Sequence, residues 1–242
     1  MDEEDFIEIL EHFRYRFKDS KDSGIDKLNA IVFYVKGLDN RDQEDFIKYC
    51  IEEVKQEYNA GWYLSIISKI QNKIAINLLY DIFISKKGID NEYTKKVLGT
   101  LFELKDCDEK HLQEYENYID TYTDTYINVS YSLDNYFLIL RYLFINPIKS
   151  INIISEYFNT LFLDTKYVNS TENFITFLAY CEMTSFEYFY QLMNIVKTEY
   201  PLLEIKLNDV LKELYYSDRL YYDKRIKSEI KNYVDLYNLG NI

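Results

Sequence analysis

The sequence predicts an all-α protein built from antiparallel helix pairs. Three observations carry that expectation. Apolar residues recur at three- and four-residue spacing along nearly the whole chain. Helix breakers are scarce, with six Gly and two Pro in 242 residues. No alternating apolar–polar run closed by an Asn-Gly or Asp-Gly turn occurs, so hairpin strands have no signal. The composition is that of a folded chain, 48% hydrophobic and 17% aromatic, whereas disordered segments are poor in rings. Against 26 Tyr and 15 Phe stand four alanines, Ala30, Ala60, Ala75 and Ala179. The helices are therefore expected to be spaced by rings and long aliphatic side chains.

The first helix is carried by Phe6, Leu10, Phe13 and Phe17. Ile25, Leu28, Val32 and Val35 follow after Ser23-Gly24, and Asn40-Arg41-Asp42-Gln43 reads as a cap before Ile47, Ile51, Val54 and Tyr58. Asn59-Ala60-Gly61 breaks the chain, and Trp62 to Ile84 follows, divisible into two pieces. Lys87-Gly88 closes it as a basic last turn followed by Gly should. Asp90 precedes Tyr93, Val97, Leu101 and Leu104, and Asp108 precedes Leu112, Tyr115, Ile119 and Tyr122. Tyr136 to Ile145 is apolar nearly all round and is the expected central helix. Asn146-Pro147 ends it and opens the next, with Pro at the tolerated first position; Ile151, Ile154, Phe158 and Leu161 form that helix's inner stripe. Thr184-Ser185-Phe186-Glu187 has the capping-box pattern ahead of Phe189, Met193 and Val196. Tyr200-Pro201 breaks before Leu203, Leu207, Val210 and Leu214, and Ile226, Ile230, Tyr233 and Tyr237 carry the last helix.

Breaks thus fall near 23, 40, 61, 89, 107, 131, 146, 168, 183, 201 and 218, which gives eleven or twelve helices. Short connections fold neighbours back on each other, making a hairpin unit of about 40 residues. In period alone this resembles HEAT and armadillo units, which implies a right-handed array over a single domain, 1–242. A compact multi-helix bundle is the alternative. A tetratricopeptide array is disfavoured because its W-x₂-L-G-x₂-Y pattern is absent.

Formal net charge is −13, from 41 acids and 28 bases. It is concentrated: residues 106–200 hold 14 acids and 5 bases, while 201–242 balance at 7 and 7. Such a chain repels nucleic-acid backbones and anionic membranes and attracts basic partners. The acidic opening Asp2-Glu3-Glu4-Asp5 is unlike a signal peptide. The longest apolar run, Tyr136 to Ile145, is interrupted by Arg141 and is about half the roughly 20 residues of a membrane span. Cys50, Cys107 and Cys181 lack any CxxC spacing and suit a reducing compartment. The expected location is the cytoplasm.

No catalytic residue, cofactor or metal is expected. Neither phosphate-binding glycine motif occurs, nor does H-E-x-x-H. His12 and His111 stand far apart in sequence; Asp108 and His111, three apart on one helix, could supply two metal ligands, but no third is evident. Glu116, Asp120 and Asp124, at i, i+4 and i+8, are the one metal-enzyme-like array, and they lack a facing acidic helix. That array defines the alternative function, a metal-dependent helical enzyme. Tyr215 to Tyr222, followed by Lys224, Arg225, Lys227 and Lys231, interleaves rings with bases as single-strand nucleic-acid binders do. Asp218, Asp223 and Glu229 dilute that charge, and no nucleic-acid partner is expected.

The acidic segment has a better use. Between Asp106 and Asp134 lie eight acids, five tyrosines and one lysine, Lys110. Like charges at i, i+4 cost a helix a few tenths of a kcal/mol per pair, and elsewhere this chain mixes lysine into its acidic faces. An unmixed acidic face flanked by Tyr suits docking of a basic protein, with charge speeding encounter and rings giving contact area. The partner-binding residues expected are Glu109, Glu116, Tyr118, Asp120, Asp124 and Tyr126. The function expected is a non-catalytic binding module, in its most concrete form a bacterial immunity protein or antitoxin that neutralises a basic toxin. A helical adaptor or regulator fits the same fold.

Overall fold

A computed structural model describes residues 3–16, 23–89, 91–123, 133–163, 170–216 and 224–237. These residues form thirteen helices and no strand. In order they are α1 (Glu3–Arg16), α2 (Ser23–Lys36), α3 (Asn40–Lys55), α4 (Ala60–Ile70), α5 (Ile74–Lys86), α6 (Glu92–Glu103), α7 (Glu109–Thr123), α8 (Leu133–Tyr142), α9 (Pro147–Leu163), α10 (Ser170–Met183), α11 (Glu187–Glu199), α12 (Pro201–Tyr216) and α13 (Lys224–Leu236). Among the described residues no helix is long and apolar enough to cross a membrane.

The stop and start signals act as local chemistry dictates. Two caps stand one residue from where the sequence reading put them. Asp39, just before the expected 40–43 cap, caps α3, its carboxylate accepting the Asp42 N–H at 2.9 Å. Asn91, just after Asp90, caps α6 by accepting from Thr94 N–H at 2.7 Å. Pro147 and Pro201 each open a helix, where a missing N–H costs no bond. The 62–84 segment does divide: Gln71 turns left-handed (φ 59°) and its N–H donates to the Ile67 carbonyl, which ends α4. Asn72 Oδ1 then accepts the Ile74 N–H at 3.0 Å and starts α5. The capping box at 184–187 does not form as expected. Thr184 Oγ1 donates back to the Tyr180 carbonyl at 2.6 Å, finishing α10, and Ser185 Oγ accepts the Glu187 N–H instead.

The chain divides into two compact units. The first holds α1 to α7 and the Leu133–Leu138 part of α8. In it each of α1, α3 and α5 packs on the helix that follows; α1, α3 and α5 neighbour one another in sequence, as do α2, α4 and α6. Hairpins joined by short turns therefore stack in two layers. The second unit begins at Ile139 among the described residues and contains α9 to α13. There α9, α11 and α12 are mutual neighbours, and α10 packs on α9, α11 and α13, the arrangement of a multi-helix bundle.

Rings space the helices in both units. Phe6 meets Phe46 edge-on at 5.4 Å, and in the second unit Phe158 meets Phe174 at 5.6 Å and Phe189 meets Tyr233 at 5.1 Å. Edge-to-face pairs place the positive ring edge on the negative face and contribute about 0.5–1.5 kcal/mol beyond area burial. In α8, Tyr136, Leu138, Ile139, Leu140 and Tyr142 are buried and Phe137 is the main exception. Ser150 Oγ donates to the Ile139 carbonyl at 2.7 Å, tying α9 to it. Ile25, Tyr58 and Tyr237, expected inside, lie exposed at or just beyond helix ends.

Candidate partner-binding face

The acidic helix α7 is set by the turn before it. Lys105 is left-handed (φ 57°) and its N–H donates to the Phe102 carbonyl, which closes α6. The chain then turns Asp106 inward, to 6% exposure. Asp106 Oδ2 accepts the Tyr115 hydroxyl at 2.7 Å and meets His111 Nδ1 at 2.6 Å, while Oδ1 accepts the Asp108 N–H at 3.4 Å. Asp108 is the N-cap, its Oδ1 accepting from Lys110 N–H at 3.0 Å and from His111 N–H at 3.4 Å. An acid there also complements the positive end of the helix dipole.

Rings dock α7 on its unit. His111 stacks on Tyr80 of α5 with centroids 3.7 Å apart. Tyr115, fully buried, meets Phe83 at 5.6 Å and Phe102 at 5.5 Å. Burial, then the Asp106 bond and charge, push the Tyr115 phenol well above its usual pKa, so it stays a neutral donor. Burial also raises Tyr80, with the Glu114 carboxylate adding to it. Tyr122 donates to the Lys87 carbonyl at 3.4 Å, and Lys87 pairs with Glu114.

This leaves a polar outer face on which Glu109, Gln113, Asn117 and Asp120 are exposed and Glu116 is half-buried. Tyr118 does not belong to it. Its ring is buried, 5.5 Å from Phe83 and 4.5 Å from Tyr122, because Tyr115, Tyr118 and Tyr122 fall on the inner stripe of the helix. Asp124 and Tyr126 lie outside the described residues, as does Tyr215–Tyr222 beyond Tyr216.

The structure also reassigns the residues considered for metal. Asp108 is engaged as a cap, and His111 turns its Nδ1 to Asp106 rather than joining Asp108 as a ligand. Among the described residues no group of three or more His, Cys, Asp or Glu side chains is arranged to hold a metal ion. The Asp106–His111–Tyr115 cluster was not anticipated. Its signal was present: an acid at a helix break, then His and Tyr four apart on one face of the next helix. Both carboxylate oxygens of Asp106 hold α7 and the turn leading into it, so the cluster serves to fasten the helix. No protein-family model, no curated protein and no solved structure matches the chain.

Proposed function

We propose that the chain is a non-catalytic protein-binding module that takes a basic protein on the outer face of α7. One observation carries the reading: Glu109 and Asp120 are exposed, with Glu116 half-buried between them, on a helix fastened from behind by buried rings and Asp106. A preorganised face loses little freedom on association, and its charge accelerates encounter with a cation-rich surface. The net charge of −13 acts in the same direction over longer range. The burial of Tyr118 narrows the proposal to carboxylates and amides rather than rings.

The most concrete form of this role is a cytoplasmic bacterial immunity protein or antitoxin covering the basic active site of a toxin such as a nuclease. As part of the same proposal residues 1–242 unfold as one domain, with the stacked hairpins of α1 to α6 as its HEAT-like part. Calorimetry tests the single domain, since one cooperative domain melts in one transition whose calorimetric and van't Hoff enthalpies agree.

The binding test is a pull-down from the source organism with wild-type protein and with a Glu109→Lys, Asp120→Lys variant. The captured partner should be basic. It should associate at least about tenfold more slowly with the variant, and raised salt should slow the wild type in parallel. A partner that binds both proteins alike would move the binding surface away from α7.

A further inference from the structure

A cavity of about 480 Å³ opens in the first unit among α1, α2, α3 and the start of α4. We propose that it binds a small aromatic zwitterion, a ring bearing one ammonium and one carboxylate, between the rings of Trp62, Tyr63 and Tyr49 and the opposite charges of Glu11 and Lys27. This proposal is independent of the α7 face.

The volume falls in the range of small-molecule sites, about 300–1,000 Å³. Tyr49 and Tyr63 meet edge-to-face at 6.4 Å, and the indole of Trp62 is half-exposed beside them. Such walls accept a third ring by offset or edge contact. The charges are the selective feature. Several lysines of this unit are paired with acids, as in Lys48–Asp45, Lys55–Glu52 and Lys86–Glu57. Glu11 on α1 and Lys27 on α2 take part in no ion pair among the described residues, although both line the same cavity. Two opposite charges that do not neutralise each other suit a ligand carrying both.

A simple amine would meet Lys27, and a simple carboxylate would meet Glu11 and the acidic surface; a zwitterion satisfies both. Asn59 lines the same space. It is left-handed (φ 58°) and its side chain does not cap α4, which leaves its amide for the ligand carboxylate. The turn carrying it is fixed, since Trp62 N–H donates to the Asn59 carbonyl at 2.9 Å and Glu57 pairs with Lys86. Burial, then the neighbouring Tyr49 and Glu53, push the Tyr63 phenol up, so it remains an uncharged donor.

The cavity contains its own reporter, because Trp62 is the only tryptophan in the chain. The full chain is titrated with L-phenylalanine while Trp62 emission is excited beyond tyrosine absorption. Phenethylamine and hydrocinnamate, each lacking one charge, are titrated alongside, and circular dichroism confirms folding of every variant. L-Phenylalanine should give a saturable change, with each single-charge analogue weaker by about tenfold or more. Glu11→Gln should weaken L-phenylalanine by about tenfold and leave hydrocinnamate no weaker; Lys27→Gln should weaken it similarly and leave phenethylamine no weaker. No saturable change with L-phenylalanine, or an affinity unmoved by both substitutions, overturns the proposal.

Discussion

The Nδ1 of His111 lies 2.6 Å from the Oδ2 of Asp106. Asp106 follows the end of α6 and His111 sits in the first turn of α7, so the contact locks a helix to the turn that aims it. The same oxygen accepts the buried Tyr115 hydroxyl. Replacing Asp106 by Ala should therefore cost about 1–3 kcal/mol, because a buried donor loses its acceptor. Tyr115→Phe keeps the ring and should cost about 1 kcal/mol. Urea unfolding measures both as a lowered midpoint at unchanged slope; an unchanged midpoint for Asp106→Ala would mean that the cluster fastens nothing.

Alkaline pH should unfold the protein in a defined window. Burial, with the Glu57 charge adding to it, pushes the Tyr93 phenol up to about 12, and burial with the Glu229 hydrogen bond does the same for Tyr190. Their unfolded value is 10.0, so the native state holds these protons more tightly than the unfolded state does. Their contribution is complete below pH 10 and is lost as pH rises through about 12. Tyrosinate absorbance of these half-buried phenols should rise together with the loss of helicity; full ionisation with helicity intact would contradict this.

The three thiols should separate cleanly. Cys50 and Cys181 are fully buried, and burial pushes both thiols upward, whereas Cys107 is exposed between α6 and α7. A thiol reagent should label one cysteine rapidly in the native protein and all three in denaturant. Rapid native labelling of a second thiol would show that one of the two cores opens.

Ring packing gives the largest stability contrast. Phe83, fully buried, touches Tyr80, Tyr115 and Tyr118, and Phe83→Ala should cost about 3–5 kcal/mol. Phe33 is 84% exposed, and Phe33→Ala should change stability by no more than about 0.5 kcal/mol. Thermal or urea unfolding of the two variants decides it. Similar losses would mean that Phe33 is covered in solution.

What the sequence determined by itself is the helices and most of their limits. Asp108, Pro147 and Pro201 act within four residues of where they stand, as helix hydrogen bonds do, and such signals can be read without a partner; at α3 and α6 the reading fell one residue away from the caps, Asp39 and Asn91. Tyr118 was misread as part of the outer face, although its spacing from Tyr115 and Tyr122 puts it on their inner stripe. Thr184 shows the limit of local reading: the same hydroxyl could serve the helix before it or the one after, and the preceding carbonyl won. Tertiary structure decided the rest. The division near Ile139, the layering of α1 to α6, the Lys87–Glu114 pair and the Tyr80–His111 stack join residues some thirty or more positions apart or nearly so. The meeting of Glu11, Lys27 and Trp62 around one cavity likewise joins three different helices. Contacts of that separation depend on which ring fills which gap between helices, and periodicity along one helix carries no information about the surface it will face.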